Sequence, residues 1–396
     1  MTAFNPDRRQ IIFHQAGRGI MPDNQLRVLI ADDSISFRAL LVRIFGGMQG
    51  VEVVGTAYTG RAAIDKAAAL MPDLIILDID MRDLSGAQLL QGLKAAAPES
   101  LVIINTSLSA GSVDLAMNTP GIRAAELIER PSDPDEEAGR IELSRRLKSI
   151  VQLIRARKHE STSIEDRDSP ALQRKPEKAE PERAGGREPD ADDAPSQSGR
   201  KEAVAIAIST GGPAALNILV PSIPGTLKSP VFIVQHMPPG FTAMLADSLN
   251  KRSPLHVKEA ESGEPVRPGT IYFAPGGRQM KVELHPVSRE RVITITDAPP
   301  ENFCRPSADY LFRSLAPVYG DKVLAIIMTG MGRDGVSGLS VLKKVNAHVI
   351  AQNETTSLVF GMAKIAIDAG LVDEVLPLGR IAGAIAVHAR HGWGKA

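Results

Sequence analysis

Apolar residues along this chain fall into short continuous runs separated by stretches of helical spacing. In the N-terminal third, Leu26–Ala31 is apolar but for one Arg, and Phe37, Leu40, Leu41 and Ile44 follow at helical intervals. Val51–Gly55, Leu74–Leu77 and Leu101–Ile104 are further buried-strand runs, and Glu126–Ile128 is a weaker one. Leu143, Leu147, Ile150, Val151 and Ile154 stripe one face of a last helix, with Pro134 near its start. The alternation resumes after residue 200, with strands expected at Ala203–Ile208, Pro230–Val234, Thr270–Ala274, Val323–Met328 and His348–Ala351. Lys281–Leu284 and Val292–Ile295 read as an intruding hairpin. Repeated strand and helix predict parallel, doubly wound sheets, hence an α/β fold in both lobes.

Residues 160–200 interrupt this pattern. Ile164 and Leu172 are their only large aliphatic residues, amid runs such as Glu177–Gly186. Such a composition buries too little apolar surface to offset its ordering entropy. The expected organisation is a disordered tail at 1–25, a domain at 26–156, a flexible linker at 157–201 and a second domain at 202–393.

Composition narrows the function classes. The 396 residues hold 46 basic and 46 acidic side chains, so no basic field for nucleic acid exists at the whole-chain level. No recognition-helix segment stands out, which disfavours a DNA-binding regulator. No apolar run approaches a membrane span, and the polar start does not resemble a signal peptide, so membrane insertion is not expected. Cys304 is the sole cysteine, which rules out an internal disulfide and suits a reducing cytoplasm.

The candidate chemistry of the second lobe sits at strand ends. Ser209 follows Ala203–Ile208 and precedes Gly211-Gly212, His236 follows Pro230–Val234, and Asp334 lies in a Gly-rich turn beyond Val323–Met328. Parallel sheets gather reactive groups at the carboxyl ends of their strands. In such a set His236 takes the Ser209 proton and Asp334 orients the imidazole. Each residue also has a plainer use: a Ser before Gly-Gly suits a helix N-cap or a phosphate loop, a strand-end His a structural hydrogen bond, and an Asp among glycines a turn. Position 207 is Ala, so the Gly-x-Ser-x-Gly elbow of lipase-type hydrolases is absent. No His pairing is readable around Cys304, which suits a structural or pocket-lining role.

The first lobe presents three carboxylates. Asp32-Asp33 ends its first strand and Asp78 its third. Like charges brought that close call for a cation, and a hard divalent ion such as Mg²⁺ fits an all-oxygen set. A carboxylate there is able to attack a phosphoryl donor, and Thr106 is placed to hydrogen-bond the product. Acidic residues that merely cap helices are the plain alternative.

The segments around Ser209, His236 and Asp334, with Pro265–Gly276, Arg305–Asp309, Ala351–Glu354 and Val359–Met362, resemble the chemotaxis protein-glutamate methylesterase family over residues 203–390. Residues 26–155 resemble the receiver domain of response regulators. The resemblance implies a flavodoxin-like receiver joined to a Rossmann-like methylesterase domain. It implies hydrolysis of glutamyl methyl esters with release of methanol, and deamidation of glutamines, on methyl-accepting chemotaxis receptors. It maps the nucleophile, base and orienting acid onto Ser209, His236 and Asp334, and places Thr210 and the backbone N–H of Met331 at the oxyanion site. In the receiver it assigns phosphorylation to Asp78, the metal to Asp32, Asp33 and Asp78, and the switch to Thr106 and Arg130. The implied cofactor is Mg²⁺ in the receiver and none for the esterase reaction. The implied partners are the receptors and a chemotaxis-type histidine kinase, with the receiver lying over the esterase site until phosphorylated. Departures are Ala207-Ile208 where the family has Gly-Ala, Cys304 where many relatives carry His, Arg130 in place of Lys, and Arg82 after Met81 in place of Pro. Arg130, Arg82 and Ile208 motivate a second reading, an adaptor that binds receptors without turnover.

Overall fold

The computed structural model describes residues 25–106, 124–129, 137–165 and 200–389. The expected tail at 1–24, Arg130 and the linker stretch 166–199 lie outside the described residues.

The first lobe is a five-stranded parallel sheet. Its strands are β1 (Leu26–Ala31), β2 (Val51–Ala57), β3 (Leu74–Asp78), β4 (Leu101–Thr106) and β5 (Ala124–Glu129), in the order β2-β1-β3-β4-β5. That is the flavodoxin-like order. Helix Ile35–Gly46 starts where the Ser34 side chain accepts from Phe37 N, and it buries Phe37, Leu40, Leu41 and Phe45. Ile44, expected in that stripe, is only partly buried, and Phe45 fills the core instead. Helix Gly86–Ala96 opens on a reciprocal capping box between Ser85 and Gln88. The last helix runs Glu137–Glu165, into the stretch expected as linker. No Gly or Pro interrupts the chain between Gly139 and Pro170, so nothing forces an earlier stop.

The second lobe holds seven parallel strands: β6 (Ala203–Ile208), β7 (Val231–Gln235), β8 (His256–Glu259), β9 (Thr270–Phe273), β12 (Val323–Ile327), β13 (His348–Gln352) and β14 (Glu374–Leu376). Their order is β14-β13-β12-β6-β7-β9-β8. The hairpin forms as an antiparallel pair, β10 (Gln279–Leu284) and β11 (Arg291–Thr296). All residues of β6, β7 and β12 are buried. Each fully buried Ile, Val or Phe contributes roughly 1.5–3 kcal/mol, so these central strands anchor the lobe. The chain leaves β6 for β7 on one side and later returns to β12 on the other. The β6–β12 crevice is therefore the topological switch point, where open α/β sheets bind ligands.

The lobes touch. Helix Gly212–Ser222 packs against β5, Leu358 packs against the first lobe's apolar cluster, and the Arg145 guanidinium lies 5.6 Å from the centroid of the Phe303 ring.

Candidate active site and receiver pocket

Ser209 is the first residue beyond β6 and His236 the first beyond β7. Ile208 pairs in register with Gln235, so the two side chains leave adjacent strands at the same level. His236 N donates to Ile208 O at 3.2 Å, which ties the histidine to the strand before the serine. Ser209 is nearly buried, and its carbonyl accepts from Gly212 N at 2.7 Å and from Gln235 Nε2 at 3.1 Å.

The glycines after Ser209 have steric reasons. Gly211 holds φ +80°, and a Cβ there would lie 2.6 Å from Leu358 Cβ. A Cβ on Gly212 would lie 1.8 Å from Gln235 Oε1. Gly211 is the N-cap of helix Gly212–Ser222, which has no side-chain cap, so Ser209 is not capping it. The helix N-terminus points its free N–H groups toward the serine's end of the strand.

Asp334 is 1% exposed and accepts from five donors. Oδ2 takes His236 Nε2 at 2.8 Å and Ala308 N at 2.6 Å. Oδ1 takes Ser307 Oγ at 2.6 Å, Asn302 Nδ2 at 3.2 Å and Asp309 N at 3.3 Å. Burial alone would raise the Asp334 pKa, but these donors and the imidazole hold it below the usual carboxylate value. Burial alone would likewise depress the His236 pKa, but the Asp334 ion pair and the Cys304 sulfur push it up to about 10. With Nε2 committed to Asp334, Nδ1 is the nitrogen left to accept the serine proton. Among the described residues no hydrogen bond joins the Ser209 hydroxyl to His236. Such contacts are commonly long before substrate binds and tighten in the complex.

Cys304 departs from expectation. Its Sγ lies 3.6 Å from His236 Nδ1, so the lone thiol pairs with the histidine expected as the base. The Asn302–Asp309 segment, whose Arg305–Asp309 part shares in the resemblance without a role assigned to it, anchors Asp334 from another loop. Thr210 is buried, and its carbonyl accepts from Thr329 Oγ1 at 2.9 Å. Gly330 lies so near the serine that a Cβ on it would sit 2.7 Å from Ser209 Cβ. Met331, whose peptide N–H is the expected oxyanion donor, is the next residue.

In the first lobe, Asp32, Asp33 and Asp78 converge at the carboxyl edge, with one oxygen of each within 4.8 Å of the others. Asp32 Oδ2 accepts from Asn105 Nδ2 at 2.9 Å, and Asp78 Oδ1 from Asp80 N at 3.0 Å. Arg82 Nε reaches Asp33 Oδ2 at 3.4 Å, so the Arg that replaces Pro supplies a positive charge at the rim. Three carboxylates whose oxygens meet in this way form an all-oxygen donor set that fits a hard divalent ion. Thr106 ends β4 beside this edge, while its side chain and Arg130 fall outside what is described.

The CheB methylesterase family model matches residues 204–385, and the response regulator receiver domain model matches residues 28–142. A protein-glutamate methylesterase/protein-glutamine glutaminase of Desulfotalea psychrophila is 42% identical over 362 residues, covering 90% of this chain and 96% of that one. A Bacillus licheniformis protein of the same name is 37% identical over 361 residues, covering 91% and 97%. The crystal structure of the Thermotoga maritima CheB methylesterase catalytic domain aligns at 39% identity with TM-score 0.45, covering 47% of this chain and 97% of that one. The chain belongs to the protein-glutamate methylesterase/protein-glutamine glutaminase family, with a response regulator receiver domain ahead of the hydrolase domain. Relatives named for two hydrolytic activities favour turnover over the adaptor reading. No described helix is long and apolar enough to cross a membrane.

Proposed function

We propose that this chain removes methyl groups from glutamyl esters, and amide groups from glutamines, on methyl-accepting chemotaxis receptors in the cytoplasm, under phosphorylation control. The observation that carries the mechanism is the 2.8 Å His236–Asp334 pair on the strand adjoining Ser209, at the switch point of the sheet.

His236 Nδ1 removes the Ser209 proton as Oγ attacks the ester carbonyl. The tetrahedral oxyanion settles against the Met331 backbone N–H and the Thr210 region, beside the positive end of helix Gly212–Ser222. Asp334 stabilises the imidazolium. His236 then returns the proton to the leaving methanol, or to ammonia when the substrate is a glutamine. Water, deprotonated by the same imidazole, releases the glutamyl carboxylate and restores Ser209.

In the receiver, Asp78 accepts a phosphoryl group from a chemotaxis-type histidine kinase, and Thr106 and Arg130 respond to it. Asp32, Asp33 and Asp78 would hold Mg²⁺, which neutralises charge during the transfer when bound. The contacts from β5, Arg145 and Leu358 border Ser209 and Cys304, which supports a receiver that blocks the site until phosphorylated. The test is methanol release from methylated receptor, with and without acetyl phosphate. Activity stimulated by phosphodonor and abolished by Ser209→Ala in folded protein supports the proposal. Full activity in Ser209→Ala refutes the nucleophile assignment.

A further inference from the structure

Away from the catalytic edge, the second lobe gathers His348, Glu374 and His388, with one ligand atom of each within 4.8 Å of the others. His348 begins β13 and Glu374 begins β14, so both lie at the amino ends of their strands. His388 comes from the terminal helix Leu378–Ala389. The two imidazole rings stack at 4.4 Å between centroids and 27° between planes. His348 Nε2 and His388 Nε2 each lie 3.9 Å from the same oxygen, Glu374 Oε2.

Two details distinguish this from an ordinary surface ion pair. His348 Nε2 is buried and has no hydrogen-bond partner. Its other nitrogen, Nδ1, faces Asp373 Oδ2 at 3.7 Å, and Asp373 is itself held by Lys343 Nζ at 2.6 Å and Val349 N at 2.8 Å. A carboxylate hydrogen-bonded behind one ring nitrogen is the usual way of aiming the other at a metal, and Asp373 stands in that place a little beyond hydrogen-bond distance. Two imidazoles and a carboxylate are a borderline donor set that suits Zn²⁺, with water in the fourth position.

We propose that His348, Glu374 and His388 bind Zn²⁺. Tetrahedral zinc sets its ligand atoms about 3.3 Å apart, so each Nε2 needs to close on Glu374 Oε2 by roughly 0.6 Å from 3.9 Å, and the two rings need to swing out of their stacked packing to aim both nitrogens at one ion. The ion joins the edge strand β14 and the terminal helix to β13, which makes it a clamp on the end of the domain rather than part of the hydrolytic chemistry.

The His236, Cys304 and Asp334 cluster and the receiver carboxylates Asp32, Asp33 and Asp78 also bring ligand atoms within 4.8 Å. The experiment must separate the three. Chelator-treated full-length protein is titrated with zinc chloride in the Cys304→Ser, Asp78→Asn background, with millimolar Mg²⁺ present, and followed by calorimetry and thermal melting. One ion per chain is expected, with a melting midpoint raised by about 5 °C at a hundredfold excess over Kd. His388→Gln and Glu374→Gln, each with an unchanged circular dichroism spectrum, are expected to weaken binding at least tenfold and remove the shift. Cobalt(II) added to wild-type protein gives a check without mutation: visible d–d bands with no thiolate charge-transfer band are expected. The proposal is overturned if the Cys304→Ser, Asp78→Asn protein binds no zinc, if the two Gln variants bind it normally, or if the first cobalt equivalent shows thiolate ligation.

Discussion

Replacing Asp334 with Asn tests the triad most sharply, because the surroundings of this carboxylate dictate how the amide must sit. Both donors on Oδ2, at 2.6 and 2.8 Å, are close, and the Ala308 N–H cannot reverse. On Oδ1, Ser307 can turn its hydroxyl to accept, and the other two donors are longer, at 3.2 and 3.3 Å. The amide NH₂ therefore takes the Oδ1 side and leaves its oxygen facing His236. The imidazole keeps its tautomer, but the negative charge is lost, Asn302 Nδ2 keeps only Asp309 Oδ2, and the Asp309 N–H is left without an acceptor. Stability should fall by about 1–3 kcal/mol for that buried donor. Loss of an orienting Asp elsewhere costs about 10⁴ in kcat where the tautomer is also wrong; with the tautomer kept, about 10³ is expected here, or about 4 kcal/mol of barrier. The His236 pKa should drop from about 10 toward its ordinary value as the ion pair is lost. In the wild type the base is protonated below that raised value, so kcat/KM should climb as pH rises from 7 to about 9. The variant's residual activity should instead level off near neutral pH. The assay is methanol release across pH, corrected for spontaneous ester hydrolysis, with thermal melting alongside. Wild-type kcat within threefold, and an unchanged pH profile in folded Asp334→Asn protein, would refute the assignment.

Alkylating Cys304 should stop methanol release, because its sulfur adjoins the base at 3.6 Å, while Cys304→Ala should stay active, resist alkylation and reach its pH plateau earlier. Incubation with acetyl phosphate and Mg²⁺ should add one phosphoryl group by intact mass, and Asp78→Asn should lose it; the same adduct on the variant would sink the assignment. Gly212→Ala should destabilise the protein by about 1–3 kcal/mol in urea titration, since the new Cβ meets the buried Gln235 side chain. Arg145→Ala should raise activity without phosphodonor up to about fivefold by removing a cation–π contact worth about 1 kcal/mol; an unchanged basal rate would argue against that contact closing the site.

Legibility followed burial. β1 and β6 match their expected bounds because each is an uninterrupted apolar run between polar flanks. β8 and β14 went unseen because they are edge strands of four and three residues with mixed exposure, so neither has a run nor a period. Ser209, His236 and Asp334 stood out because strand ends in a parallel sheet are legible from the runs before them. Their supports did not, since Ser307 and Asn302 reach Asp334 from a loop whose local pattern carries no such signal. The Cys304–His236 contact spans 68 positions and belongs to the same blind spot.

The position of these supports bears on control. Any effect of phosphorylation must come from contacts that differ between a covered and an uncovered arrangement. The contacts between the lobes border the proposed site: Arg145 sits over Phe303, next to Cys304, and Leu358 packs on the receiver while its Cβ limits the space at Gly211. β5, the neighbour of β4 with its terminal Thr106, meets the helix that begins just past Ser209. A single contact of about 1 kcal/mol changes the uncovered fraction about fivefold, and three independent ones change it about a hundredfold. The same loops that hold Asp334 and crowd Ser209 thus carry the contacts a regulatory domain would have to break, so a few weak contacts suffice for a large change in rate.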